Sequence, residues 1–387
     1  MGDCILAAMA LISRQQGPIA VYGATGYTGR LVTAELAAAG VDLVISGRNR
    51  HKLDALAAET DGEVAVGQAT LDDHSSLRSL LADCAVVANC AGPFVNHGEP
   101  VLAAAVETRT HYLDSTGEQP YMKLAFERYG PGASEAEIAV IPAMGFDYVP
   151  GDMIASLTAA SMGDLDEISL NYCWQDFIPS QGTARSTVEI ISDPGIEWRD
   201  GIWQRAQGGF NRGTYEFPAS VGRRGMIRYP AGEQITVPRH IRTRDVRTTI
   251  NASAFASDKL APLFALIARP VGLAMKTPLK RLAGAAISRL PEGPTPAQRE
   301  RMRWMIVCEA RRGEVERRGV IHGKDVYGLT AAAIRQGAVI AAGRGFDARG
   351  ALAPSQAFDP KDFLEGLDRF EVRWSVEGVE SPLPVEA

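Results

Sequence analysis

Residues Ile19–Gly29 read IAVYGATGYTG and residues Arg30–Arg50 continue RLVTAELAAAGVDLVISGRNR. The apolar run Ile19–Gly23 has the length and branching of a buried strand. Gly23, Gly26 and Gly29 follow it, and from Tyr27 to Ala39 apolar residues recur at Leu31, Leu36 and Ala39 on one side of a helix. DLVIS (Asp42–Ser46) is a second short strand. Strand, glycine turn, helix and strand together open a βαβ unit.

The same alternation continues outward. HKLDALAAET (His51–Thr60) predicts a helix, EVAVG a strand, Asp73–Ala82 a helix, and AVVANC (Ala85–Cys90) a strand. Glu99–Thr108, HYLDS (His111–Ser115), Glu118–Tyr129 and IAVIP (Ile138–Pro142) complete the series. The expected fold class is therefore α/β, with a Rossmann-type parallel sheet over residues 1–150 and ligand contacts beyond the carboxyl ends of its strands.

Each glycine has its own task. Gly23 permits the tight turn, Gly26 removes a side chain where a pyrophosphate approaches the backbone, and Gly29 lets helix and sheet pack closely. The helix start presents N–H groups and partial positive charge to phosphates, and Thr25, Tyr27 and Thr28 lie in the same turn. The second strand ends in Ser46-Gly47-Arg48-Asn49-Arg50, with Lys52 close behind. A carboxylate there would accept bonds from a ribose hydroxyl, but none is present. A guanidinium instead suits a 2′-phosphate, so Arg48 and Asn49 point to NADP(H).

A glycine turn of this kind also opens short-chain dehydrogenases, which use Tyr with Lys four residues later; none of the ten tyrosines has that partner. NCAGPF (Asn89–Phe94), HYLDSTGE (His111–Glu118), PAMGFDYVPGD (Pro142–Asp152) and SQGTARS (Ser180–Ser186) instead resemble the saccharopine dehydrogenase-like oxidoreductases. PAGEQITVPRH (Pro230–His240), PEGPTPAQRERMRW (Pro291–Trp304) and DVYGLTAAAIRQGA (Asp325–Ala338) extend the resemblance, which runs from about Ile19 to about Phe363. The pattern looks closest to the branch of trans-acting enoyl reductases of lipid assembly, and less like the saccharopine-forming enzymes. The resemblance implies an NADP(H)-binding Rossmann domain, a mixed α+β second domain, and a helix near Tyr327–Ala342 packing back near the first domain.

The loops after the strands supply candidate site residues. Cys90, Ala91, Gly92, Pro93 and Phe94 follow the fourth strand and are assigned to the cofactor. Asp114, Glu118 and Asp147 follow later strands and are assigned to substrate, or alternatively to loop capping. Thr183 and Ser186, at a helix start, join the substrate set. His240, Tyr112 and Arg185 are the candidate proton donors or anion stabilisers.

With 387 residues the chain suits two domains, and its 46% hydrophobic and 22% charged residues are those of a globular protein. The second domain is expected over 151–324 and 346–387 as substrate or dimerisation domain. DEISLNYCW (Asp166–Trp174) reads as a strand, Ile202–Phe255 as short β-like runs, and RWMIVCEARR with EVERRGVIH as a hairpin about Gly313, giving an antiparallel sheet covered by helices on one face. Between Val221 and Ile250 stand Arg223, Arg224, Arg228, Arg239, Arg242, Arg244 and Arg247 against Glu233 and Asp245. That run is either a basic surface for an anionic substrate, an acyl carrier or a membrane face, or a solvated strand pair. The amphipathic stretch Leu260–Leu290 reads as core, or as acyl-chain or membrane contact.

The net charge of −6 gives no hint of nucleic acid. Five scattered cysteines and six histidines have no metal-site spacing, and reduced thiols fit a cytoplasmic setting. The apolar N-terminus MGDCILAAMALISRQQ lacks the positive lead of a secretory signal, and no uncharged run reaches the ~20 residues of a membrane span. The expected function is NADPH-dependent reduction of an activated C=C bond on a bulky or carrier-bound acyl group, possible as a homodimer. The alternatives are C–N oxidoreduction on an amino acid-type substrate, or non-catalytic NADP(H) binding.

Overall fold

The computed structural model describes residues 16–192, 195–207, 211–254 and 284–378. The apolar N-terminal stretch up to residue 15, and Leu260–Leu290 as far as residue 283, lie outside the described residues.

The first part of the chain alternates as β1 (Ile19–Tyr22), α1 (Tyr27–Ala38), β2 (Leu43–Gly47), α2 (Arg50–Glu59), β3 (Ala65–Gln68), α3 (His74–Leu81), β4 (Val86–Asn89), α4 (Phe94–Thr108), β5 (His111–Asp114), α5 (Gln119–Leu124), α6 (Gly130–Glu135) and β6 (Ala139–Ile141). The middle runs α7 (Val149–Ala159), β7 (Leu165–Gln175), α8 (Gln181–Ser192), β8 (Ile196–Arg199), β9 (Ile202–Arg205), β10 (Asn211–Glu216), β11 (Arg223–Arg228), α9 (Glu233–Thr236), β12 (Thr243–Asn251), α10 (Pro296–Arg299), β13 (Arg303–Arg312) and β14 (Val315–Lys324). It closes with α11 (Val326–Ala341), β15 (Gly350–Ala351), α12 (Pro354–Ala357), α13 (Pro360–Glu365) and β16 (Arg373–Val376). Two compact units result. One is Met1–Phe146 with Tyr327–Phe358, and the other is Asp147–Val326 with Asp359–Ala387. The sequence reading set the breaks near 150, 325 and 345.

The first unit holds a seven-stranded sheet in the order β15-β6-β5-β4-β1-β2-β3, parallel throughout. Helices on both faces remove both sides of each strand from water, so the strands read as continuous apolar runs. Ile19, Ala20, Val21, Ile45, Val86, Val87 and Ala88 are completely buried. Strand order reverses at β1, whose Tyr22 pairs with Ser46 on one side and Asn89 on the other. The turns after β1 and β4 are therefore neighbours at the sheet's carboxyl edge, the position where such sheets bind ligands. Gly337 of α11 lies so close to Leu113 and Met144 that a Cβ would approach their carbons to 2.9 Å.

Helix α4 starts at Phe94, not at Glu99, and carries Pro100 inside it. The earlier start is held by Glu118, whose two carboxylate oxygens accept the N–H groups of Phe94 (3.0 Å) and Val95 (2.9 Å).

The second unit carries a seven-stranded sheet ordered β10-β11-β12-β7-β13-β14-β16, with a separate β8–β9 pair. Its central pair β12–β7 is parallel and the remaining neighbours are antiparallel. Helix α7 packs on β13 and β14. There Gly319 is required by close approach, because a Cβ would lie 2.1 Å from the Thr158 hydroxyl oxygen. The β13–β14 hairpin closes through Arg312↔Val315, with Gly313 at φ +57°. The β-like reading of Ile202–Phe255 fails over Glu233–Arg239. These residues form α9 and a 3₁₀ turn, where Pro238 removes a donor that a ladder would need.

Candidate functional site

The turn after β1 has the geometry of a phosphate cradle. Gly23 sits at φ +79°, and a Cβ on it would meet the Ala91 backbone nitrogen at 2.9 Å. A Cβ on Gly29 would lie 2.2 Å from the Gly23 carbonyl oxygen, so only glycine lets α1 start against the turn. Gly26 is different. It is exposed, and a Cβ there would meet only the Gly23 oxygen at 3.4 Å. Protein packing does not demand glycine at that position, whereas a diphosphate resting on the backbone does.

The first turn of α1 has no side-chain cap. By contrast, Asn49 caps α2 by accepting the Lys52 N–H, Asp73 caps α3, and Glu118 holds the first N–H groups of α4. The helix directly behind the glycine turn thus keeps its positive end for an anion. The hydroxyls of Thr25 and Thr28 have no partner among the described residues. Tyr27 packs edge-on against Tyr327 of α11, with centroids 5.2 Å apart.

After β2 the polar residues divide. Arg50 is committed to Asp54 at 2.8 Å, and Asn49 to its helix cap. Arg48 is exposed and makes no ion pair among the described residues. No acid stands at this strand end, so the residues fit a phosphorylated adenosine ribose.

The Cys90–Phe94 loop beside the cradle is fixed from below. Asn89 is buried; its side-chain oxygen accepts the Ala91 N–H (3.1 Å) and its amide donates to the Tyr112 hydroxyl (3.0 Å). Gly92 is exposed, and burial pushes the Cys90 thiol up to about 12, which leaves backbone rather than sulfur as its contribution.

Three residues expected at substrate or in proton transfer lie inside this unit. Tyr112 is 0% exposed, and its hydroxyl meets that of Tyr121 at 2.6 Å. Burial raises its pKa well above the usual phenol value, and its hydroxyl is engaged inside the core by Asn89 and Tyr121. Asp114 is equally buried. One of its oxygens accepts the N–H groups of Thr116 and Ala143, both at 2.9 Å, which ties the loops after β5 and β6 together. Glu118, 2% exposed, spends both oxygens on α4. For Asp114 and Glu118 the capping alternative describes the geometry. Asn89 and Tyr121 went unread in the sequence, because nothing local distinguishes a supporting polar residue from a strand end or a helix core position.

In the second unit, His240 Nε2 lies 2.9 Å from Asp152 Oδ1, with the imidazole 10% exposed and the carboxylate fully buried. Arg185 on α8 reaches Gln181 (3.4 Å) and Ser288 (3.1 Å). The Thr183 hydroxyl meets Ser180 Oγ at 3.0 Å in the first turn of the same helix, and Ser186 follows one turn on. The Asp147 carboxyl is pushed up to about 6 by burial, and its carbonyl accepts from the Tyr172 hydroxyl at 3.0 Å. Tyr172 also bonds Glu233, a fully buried acid on α9 that burial raises well above the carboxylate range. The sequence reading counted Glu233 only as a charge.

The arginine run Val221–Ile250 does not form one basic surface. Arg242 pairs with Asp164 (2.8 Å), Arg244 with Asp245 (3.3 Å) and Arg247 with Glu167 (2.9 Å). Arg239 lies over the Trp203 ring, and Arg228 is buried. Asp164 and Glu167 come from distant parts of the chain, which a linear charge count does not see. No helix among the described residues is long and apolar enough to cross a membrane.

A parallel sheet whose order reverses beside an uncapped helix start on a three-glycine turn defines a dinucleotide-binding Rossmann domain. Residues 19–141 match the family model of the saccharopine dehydrogenase NADP binding domain. That match gives the first unit NADP(H) as its cofactor. The chain is 30% identical over 222 residues to a Bos taurus saccharopine dehydrogenase-like oxidoreductase, covering 51% of this chain and 48% of the relative. It is 33% identical over 185 residues to a Mycobacterium tuberculosis protein whose name puts it forward as a trans-acting enoyl reductase, covering 45% and 44%. The chain spans about half the length of the curated relatives it matches. In fold it is similar to saccharopine dehydrogenase (L-Glu forming) from Saccharomyces cerevisiae, with a TM-score of 0.59 at 15% identity over 94% of this chain and 100% of that one.

Proposed function

We propose that the protein is an NADPH-dependent reductase of an activated carbon–carbon double bond on a bulky or carrier-bound acyl group. The observation that carries the cofactor half is the uncapped start of α1 behind Gly26, with Arg48, which makes no ion pair among the described residues, at the end of the next strand. The choice of acyl substrate is supported by the similarity to the mycobacterial relative named for enoyl reduction. Bound NADPH supplies a hydride.

The chain's own residues then have two duties. The turn Gly23–Gly29 with Thr25 and Thr28 binds the diphosphate, and Arg48 binds the 2′-phosphate. The Asn89-supported loop Cys90–Phe94 offers backbone close to the cradle without bulky side chains. The second duty is a proton for the carbon next to the carbonyl, since hydride addition leaves enolate charge there. His240 is assigned to it, with Asp152 fixing its ring orientation. Arg185, Thr183, Ser186 and Asp147 are the further residues assigned to substrate.

Titration with NADPH and NADH tests the first duty; tighter binding of NADPH is expected, and equal affinity for both overturns it. Steady-state assay with enoyl thioesters tests the second. Turnover only with an oxo-acid plus an amine would assign C–N chemistry instead, and binding without turnover on either panel would leave a non-catalytic dinucleotide protein. In an active preparation, His240→Gln is expected to lower kcat by roughly a hundredfold or more while the KM for NADPH stays put.

A further inference from the structure

The loops after β4, β5 and β6 meet around one buried acid. Asp114 closes β5 and pairs across the sheet with Asn89, the last residue of β4. Its Oδ1 accepts the N–H groups of Thr116 and Ala143, so the carboxyl lies beyond the strand ends, between two loops of the carboxyl edge. The third loop reaches it through Cys90, whose thiol is raised by burial and then by the Asp114 charge. Asp114 Oδ2 is buried and accepts no hydrogen bond among the described residues, and the carboxyl makes no ion pair there. A carboxylate wholly out of water, with one oxygen unsatisfied and no counter-charge, is costly. It takes up a proton unless a cation is brought to it.

The groups that face Asp114 leave it as the member that exchanges a proton near neutral pH. Tyr112 on its own strand and Tyr121 on α5 are phenols that burial raises well above their usual value, and the Cys90 thiol is pushed up to about 12. Glu118 gives both oxygens to the first N–H groups of α4. Burial pushes Asp114 itself up to about 7. The N–H groups of Ala143 and Thr116 and the Tyr112 hydroxyl oppose that rise, and the Glu118 charge adds to it.

The edge beyond these strands belongs to the second half of a dinucleotide. In a Rossmann sheet each half carries one mononucleotide, on either side of the point where strand order reverses. The Gly23–Gly29 turn and Arg48 stand on the β1–β3 half and take the adenosine end, which leaves β4, β5 and β6 to the nicotinamide. The two forms of the cofactor differ there in charge, since the oxidised ring is cationic and the reduced ring neutral. We propose that Asp114 sets the preference between them: its carboxyl O–H gives up a proton to water when NADP+ binds and keeps it when NADPH binds. A charged Asp114 attracts the cationic ring and has nothing to gain from the neutral one, so the two equilibria are linked. The inference rests on NADP(H) as the cofactor of the first unit and is independent of the substrate.

The test reads binding, not turnover. Dissociation constants of NADP+ and NADPH for the full chain are measured between about pH 6 and about pH 8. Their ratio is the readout, because the 2′-phosphate titrates in the same window but is common to both. Preference is expected to move toward NADP+ by about threefold to tenfold as pH rises through that window. Calorimetry of NADP+ binding at neutral pH, in two buffers of unlike ionisation enthalpy, should show proton release. Asp114→Asn keeps an oxygen for the Thr116 and Ala143 N–H groups but does not titrate, so its ratio should stay flat. Tyr112→Phe removes the hydroxyl that lowers the acid, so the midpoint of the dependence should move up; this variant carries the test if Asp114→Asn does not fold. A dependence that survives Asp114→Asn, or a midpoint unmoved by Tyr112→Phe, overturns the proposal. A flat ratio in the wild type with both dinucleotides bound overturns it alone, whereas binding of neither overturns the cofactor reading with it.

Discussion

At the scale of single residues, the glycines of the turn differ in what they exclude. Gly29→Ala would force a Cβ into the Gly23 carbonyl, so loss of stability is expected, read as a lower urea midpoint. Gly26→Ala meets nothing closer than 3.4 Å. It should fold normally and bind NADPH poorly, and a variant that kept wild-type affinity would remove the diphosphate from this turn. Arg48→Ala should cost roughly ten- to a hundredfold in NADPH affinity and leave NADH unchanged. Asp114 makes a pH prediction. Its buried carboxyl is pushed up to about 7, so the folded chain keeps a proton that the unfolded chain releases near the ordinary value of about 4. That contribution to stability is full below about pH 4 and lost as pH rises through about 7. Asp114→Asn should therefore flatten the fall in urea midpoint between about pH 5 and about pH 8.

At the scale of elements, most of what was legible came from periodicity joined to a mechanism. The strands β1 to β6 of the first sheet, its glycine turn and the Gly313 hairpin could be read because their rules are local, whereas β15 at its edge could not. The start of α4 could not, because Glu118, which holds it, lies 24 residues beyond Phe94. Glu118→Ala should destabilise the first unit by roughly 1–3 kcal/mol, with Glu118→Gln in between, because an amide nitrogen cannot accept the second N–H. Equal urea midpoints for wild type and Glu118→Ala would show that the bonds to Phe94 and Val95 carry no stability. The same limit explains the candidate site. Asp114 stood at the right strand end and Tyr112 two residues before it, but burial depends on what packs above them, and spacing carries no record of that.

At the scale of the whole molecule, charge counting was the least informative reading. Arg242 and Arg247 find Asp164 and Glu167 across the fold, so a run that looks basic on paper is partly neutralised. The division into two units predicts where NADPH acts. Hydrogen exchange should slow over residues 19–141 and over Tyr327–Ala341, which share a unit, and change little along β7, β13 and β14. Protection confined to residues 19–141 would deny that α11 shares the stability of the first unit.

That first unit is made from two stretches of chain, and its seventh strand, Gly350–Ala351, pairs in parallel with Ala139–Val140. A fragment cut near residue 150 would lack the outer strand and α11, leaving a sheet edge bare. On the ribosome the interval is long. At about 5–20 residues per second, roughly 10–40 s separate the emergence of β6 from that of its outer neighbour. For that time the nascent cofactor domain is incomplete, and its exposed edge is where holding chaperones should be found.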